Sequence, residues 1–152
     1  MGIAAAAVAA LLVIVVALFT WGVVRMRRNA DRLHAAMRAL NVDEIPELAG
    51  QCAHVFAARL ESPLDSSDPL ACARALDRLV PTLPCASAFA RPDLQWAYVL
   101  HCGAYLGELI RMHAGARWQS HDDGAPGLVM QHGEVTIQLW PFDKILKHRM
   151  QG

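Results

Sequence analysis

Charge is scarce in this sequence. Only 18% of its 152 residues are Asp, Glu, Lys or Arg and 55% are apolar, whereas soluble domains run near a quarter charged. The deficit falls at one end: no charged residue occurs between Ile3 and Val24, which excludes a plain cytosolic globule. Glycine (10), proline (8) and cysteine (4) are too few for collagen-like, disordered or disulfide-dense chains. Cys52, Cys72, Cys85 and Cys102 form no close pair, so neither a zinc ribbon nor a thioredoxin-like redox site is supported. There is no Gly-rich phosphate loop, no Gly-x-Ser-x-Gly elbow and no zincin helix. No internal repeat is visible, and the chain beyond the apolar run suffices for one core.

What stands at the amino terminus is a membrane anchor, expected over residues 1–24. Ile3–Val24 as a helix would be about 33 Å long, against a hydrocarbon layer of about 30 Å. A cleaved signal peptide would need basic residues before the run and a small-x-small site after it. The exit Phe19-Thr20-Trp21-Gly22-Val23-Val24 offers no such site, and no Lys or Arg precedes the run. The lipoprotein route fails because the first cysteine is Cys52. Arg25, Arg27, Arg28, Arg32 and Arg38 come soon after, opposed in that stretch only by Asp31. The positive-inside bias then keeps the carboxy-terminal body cytoplasmic, so the expected location is a bacterial inner membrane crossed once. These arginines read as topogenic rather than as a specific lipid site, which needs a longer basic cluster. Residues 25–38 carry a net +4, and because the chain sums to 0 the remainder is −4. Nucleic acid is thereby an improbable partner, since no basic stripe remains on the body.

Residues 25–40 predict a basic juxtamembrane helix, with Met26, Ala30, Leu33, Met37 and Leu40 on one face. The body is expected over 41–152. Pro46 opens a second helix with a stripe of Ile45, Leu48, Cys52, Val55, Phe56 and Leu60, ending before Ser62-Pro63. The segment 62–69 reads as a loop, and Asp68-Pro69 caps a short helix through Leu70, Ala73, Leu76, Leu79 and Val80. Pro81, Pro84 and Pro92 bracket an irregular connection. Asp93 to His113 is the longest helical stretch of the body and is apolar nearly all round, the pattern of a central buried element. Gly103 and Gly107 in it predict close approach of another backbone. Three strands come next at 116–121, 128–132 and 135–140, turning at Asp122-Asp123-Gly124 and His132-Gly133-Glu134. A closing helix begins at Pro141. The fold class is α+β: a transmembrane helix, helical segments, a small three-stranded antiparallel sheet and a closing helix.

Glu108 is the most informative single residue, the one acid in a helix otherwise filled with apolar side chains. A buried carboxylate must be paired or hydrogen-bonded, or must line a cleft. As a structural group it would anchor the first strand through backbone amides or Arg117. As a catalytic group it would be a general base in a pocket with His101 and Tyr105. The structural role is preferred, because no nucleophile stands at a defined spacing from it. Seven histidines suggest a metal, but His101 and Glu108 lack a third ligand at useful spacing, so neither a metal nor a cofactor is called for.

The segments Tyr105-Leu106-Gly107-Glu108, Gly115-Ala116-Arg117-Trp118 and Pro141-Phe142-Asp143-Lys144 together resemble a pattern in small uncharacterised bacterial domains. There, a helix with a Gly-Glu pair leads into a Gly-x-x-Trp strand and a Pro-Phe segment. The resemblance spans residues 93–150 and implies helix, small sheet, then helix; it implies no reaction, substrate or cofactor.

The sequence therefore predicts a membrane-anchored domain that acts by binding another membrane-associated protein, with no oligomeric state specified. The interaction and structural residues are Gly103, Gly107, Glu108, Arg117 and Trp118. A tethered enzyme using His101, Tyr105 and Glu108 is the alternative, as is a toxin-neutralising immunity protein.

Overall fold

The computed structural model describes residues 2–60, 68–83, 92–121 and 124–151. Most of the loop expected at 62–69, together with Pro84, Cys85 and the turn residues Asp122 and Asp123, lies outside them, as do the side chains before Ile14. The chain is α+β, with six helices and one three-stranded antiparallel sheet among the described residues. Helix α1 runs without a break from Gly2 to Ala39. Among the described residues, no helix is long and apolar enough to cross a membrane; most side chains of the anchor expected over 1–24 lie outside them. The described part of α1 does leave Phe19, Trp21, Val23 and Val24 exposed. The two segments expected at 1–24 and 25–40 are one helix, and its far end is built into the body: Leu33 and Met37 are fully buried in the core.

After a single 3-10 turn capped by the Asn41 side chain, α2 (Ile45–Val55) starts with Pro46 in its first turn. The stripe predicted as one helix through Leu60 is interrupted at Phe56. There the chain turns before the short α3 (Ala57–Leu60), leaving Val55 exposed. Helix α4 (Pro69–Leu79) begins where the Asp68 carboxylate accepts the Ala71 N–H at 2.9 Å, a side-chain cap on an otherwise orphaned donor. Its Leu70 points to solvent, and Cys72, Ala75, Leu76 and Leu79 face the core.

Helix α5 (Pro92–Ala114) is the central element. It packs against α2, α4 and α6, and Val99, Cys102, Ala104, Tyr105 and Leu109 supply much of the core. It stops at Gly115, whose φ of +67° is the left-handed conformation that terminates helices. Strands β1 (Arg117–His121), β2 (Gly124–His132) and β3 (Val135–Leu139) form a meander in the order β1-β2-β3. β2 begins four residues before the predicted start at Leu128, despite Pro126. The β1–β2 register shifts between Gln119 and His121, so the proline falls in an irregularity where no ladder donor is required. Helix α6 (Pro141–Gln151) closes the fold, with Phe142 and Ile145 set into the core.

Candidate functional site

The glycines of α5 let the sheet and α6 come close. A methyl group on Gly107 would sit 2.1 Å from Cζ2 of Trp118, and one on Gly103 would sit 2.4 Å from Cδ1 and 3.0 Å from Cα of Phe142. So Gly103 admits the Phe142 ring and its Cα at the start of α6, whereas Gly107 admits an indole ring. The Trp118 and Phe142 rings lie 5.8 Å apart and cover this side of the helix.

Trp118 is thereby delivered to Glu108. Its Nε1–H donates to Glu108 Oε1 at 2.7 Å. Arg111, one turn further along α5, donates from Nε to Oε1 and Oε2 at 2.9 and 3.1 Å and from Nη2 to Oε2 at 2.9 Å. The Glu108 side chain is 3% exposed and that of Arg111 43%, so a buried carboxylate is closed off by a half-solvated guanidinium. The hydrogen bonds to Glu108, and then its charge, hold the Arg111 guanidinium above its ordinary range. This corrects the expected partner: Arg117 is exposed and makes none of these bonds. The first strand is tied to α5 through its tryptophan instead. The i,i+3 spacing of Glu108 and Arg111 is the available signal, but in the sequence Arg111 reads only as a helix-terminal cation.

His101 and Tyr105 belong to different surroundings. The imidazole of His101 bonds the Ala97 carbonyl through Nδ1 and the Gln51 side chain of α2 through Nε2, at 3.0 Å for the latter. Tyr105 is fully buried, its hydroxyl has no hydrogen-bond partner among the described residues, and the Cys72 thiol lies near it. Cys52, Cys72 and Cys102, from three helices, are buried here and form no disulfide. Burial, then the nearby Cys72, pushes the Tyr105 phenol up; the hydrogen bond with Cys102, then burial, pushes the Cys52 thiol up. Cys52 is thereby held as a protonated core thiol rather than a nucleophile. Among the described residues no group of three or more His, Cys, Asp and Glu is placed to hold a metal. The expected common pocket of His101, Tyr105 and Glu108 is thus divided among the α2 contact, the thiol core and the carboxylate clamp.

A cavity of about 300 Å³ lies elsewhere, between the end of α1 and the sheet, lined by His34, Met37, Arg38, Gly124, Ala125, Trp140 and Asp143. It is invisible in the sequence, because its walls come from segments about ninety residues apart that carry no shared motif. It presents a guanidinium, a carboxylate and an indole around an open space, and no arrangement of nucleophile and base. Of the arginines expected to be topogenic, Arg27, Arg28 and Arg32 are exposed, and the Arg25 side chain lies outside the described residues. Comparisons with protein-family models, with curated proteins and with solved structures give no match.

Proposed function

We propose that this chain is a membrane-tethered module, crossing a bacterial inner membrane once through Ile3–Val24, whose cytoplasmic α+β body works by binding another membrane-associated protein. The observation that carries the reading is the continuity of α1. The charge-free run Ile3–Val24 lies within one uninterrupted helix, and Leu33 and Met37 of that helix are core residues of the body. The exposed Phe19, Trp21, Val23 and Val24 favour lipid as their surroundings, since so contiguous an apolar surface is costly in water. Arg25, Arg27, Arg28 and Arg32 favour the cytoplasmic side for the body beyond them. Confinement to the membrane surface raises the effective concentration toward other membrane-bound proteins. The enzymatic alternative draws no support from the separate surroundings of His101, Tyr105 and Glu108, and no observation favours the immunity-protein reading.

A reporter fused after Gly152 tests the topology. A cytoplasmic signal is expected, with the chain retained in the membrane pellet after a high-salt wash. Periplasmic activity, or a mature amino terminus beginning after residue 24, would overturn it. For the binding role, purification from solubilised membranes is expected to bring down a reproducible partner; a partnerless chain with measurable turnover would sink that part.

A further inference from the structure

Among the described residues, the outer edge of β3 is open and unguarded. Gly133-Glu134 is a two-residue turn with Gly133 at φ +61°, so the flanking pair His132–Val135 is hydrogen-bonded across the hairpin. Alternation along the register makes Met130–Ile137 and Leu128–Leu139 the next hydrogen-bonded pairs. Thr136 and Gln138 therefore aim their backbone N–H and C=O groups away from β2. Among the described residues no strand pairs with that edge.

Natural sheets guard such edges with charge, proline or a bulge. The β1 edge has these devices: Arg117 at its start, a register irregularity between Gln119 and His121, and Trp118 tied back to α5. β3 has none. Val135-Thr136-Ile137-Gln138-Leu139 contains no charge and no proline, and its register with β2 is unbroken over its whole length. Val135 shares a face with Ile137 and Leu139 yet is 60% exposed, so the apolar face of the strand is left incomplete.

The strand is also its own complement. Laid antiparallel on a second copy with Ile137 opposite Ile137, Val135 meets Leu139 and Thr136 meets Gln138. Apolar side chains then face apolar ones on one side and polar face polar on the other, with no like charges opposed. In the same register the outward-pointing backbone groups of Thr136 and Gln138 fall opposite each other, so the hydrogen-bonding pattern and the side-chain pattern agree on one twofold axis at Ile137. We propose that β3 is a dimerisation edge, where two copies of this chain pair antiparallel and continue one sheet into the other. A second copy is the occupant because this register satisfies both strands at once. The inference goes beyond the tethering reading and does not rest on it.

Ile137→Cys in the full chain, solubilised in mild detergent, tests the axis. In a non-hydrogen-bonded antiparallel pair the Cα atoms lie about 4.5 Å apart, within reach of a disulfide. Under mild oxidation, dimer is expected to form on the order of tenfold faster than for Ser120→Cys on β1 or for the wild-type chain. Val135→Cys and Leu139→Cys should each stay uncrosslinked alone and join when mixed. Thr136→Pro removes an outward N–H and no ladder bond to β2; light scattering should show it as a monomer where the wild type is a dimer, with unchanged far-UV circular dichroism. Crosslinking of Ile137→Cys no faster than of Ser120→Cys, or a wild-type chain monomeric at every concentration, overturns the proposal. Val135→Cys joining to itself in preference to Leu139→Cys overturns the twofold register and the proposal with it.

Discussion

Removal of the Glu108 carboxylate is the sharpest perturbation of this fold. In Glu108→Ala the Trp118 indole N–H, now bonded at 2.7 Å, loses its acceptor inside a packed site, at a cost of about 1–3 kcal/mol. The volume lost beside Gly107 and Trp118 adds about 1 kcal/mol if the cavity does not collapse. The ion pair contributes least: Arg111 is 43% exposed and can turn to water, so screening limits its share to about 1 kcal/mol or below. The expected total loss is roughly 2–5 kcal/mol, a large part of a small domain's stability. Glu108→Gln keeps the volume and an acceptor for the indole but loses charge assistance, so a loss of about 1–2 kcal/mol is expected.

Urea denaturation of the full chain in mild detergent, monitored by tryptophan fluorescence, measures these losses. A double-mutant cycle with Trp118→Phe should give a coupling of about 1–2 kcal/mol, and one with Arg111→Ala less than about 1 kcal/mol. A cycle with Arg117→Ala should give none, since Arg117 makes no bond to the carboxylate. A neutral or stabilising Glu108→Ala, or a stronger coupling to Arg117 than to Trp118, would refute the clamp. A carboxylate held at a net cost to stability would point to a functional role for Glu108 instead.

Gly107→Ala should cost about 1–3 kcal/mol in the same assay, because its methyl would meet the Trp118 ring at 2.1 Å and push the indole off Glu108. Leu33→Ala should cost about 2–5 kcal/mol although it lies on α1, since Leu33 is wholly buried; a neutral result would detach α1 from the core. Tyr105→Phe should be neutral or stabilising by about 1 kcal/mol in thermal unfolding, because it removes a buried hydroxyl with no hydrogen-bond partner among the described residues. Alkaline pH should destabilise the fold: Cys52 and Tyr105 are raised from ordinary values of 9.0 and 10.0, so the unfolded chain loses those protons first. Stability is then full below pH 9 and falls above it, by about 1.4 kcal/mol per pH unit for each group, and Tyr105→Phe should flatten the fall above pH 10.

The elements with local causes were legible in the sequence. Asp68-Pro69 starts a helix, Gly115 ends one, and alternation over Val135–Leu139 makes a strand because those signals act within a few residues. The break at Phe56 was hidden, since an apolar stripe has the same spacing whether or not one turn within it is irregular. The early start of β2 was hidden because a proline argues against a strand unless the bulge that holds it is known. At the candidate site, the burial of Glu108 followed from its apolar helix. Its partner did not, because which residue of β1 reaches α5 depends on Gly107 leaving room for a ring. The division of His101, Tyr105 and Glu108 was equally invisible: shared helical spacing places them on one side of α5, but α2, α4 and β1 each cover a different part of that side.

Helix α1 decides how the body would be presented. From Val24 to Leu33 the rise is about 14 Å, and the helix between them is unbroken. A body joined by a flexible linker samples all orientations, and its effective concentration at a partner falls with linker length. A body whose core encloses Leu33 and Met37 of the same helix has no such freedom. With Ile3–Val24 in the bilayer, the sheet would be held near the surface, and its β3 edge would turn only as far as the helix tilts and rotates. Two such chains would lose little further orientational freedom on meeting, so a contact made by one short strand would be tighter there than between untethered copies. A rigid tether of that kind and the unguarded edge would therefore reinforce each other: the first would lower the entropic cost of the pairing proposed for the second.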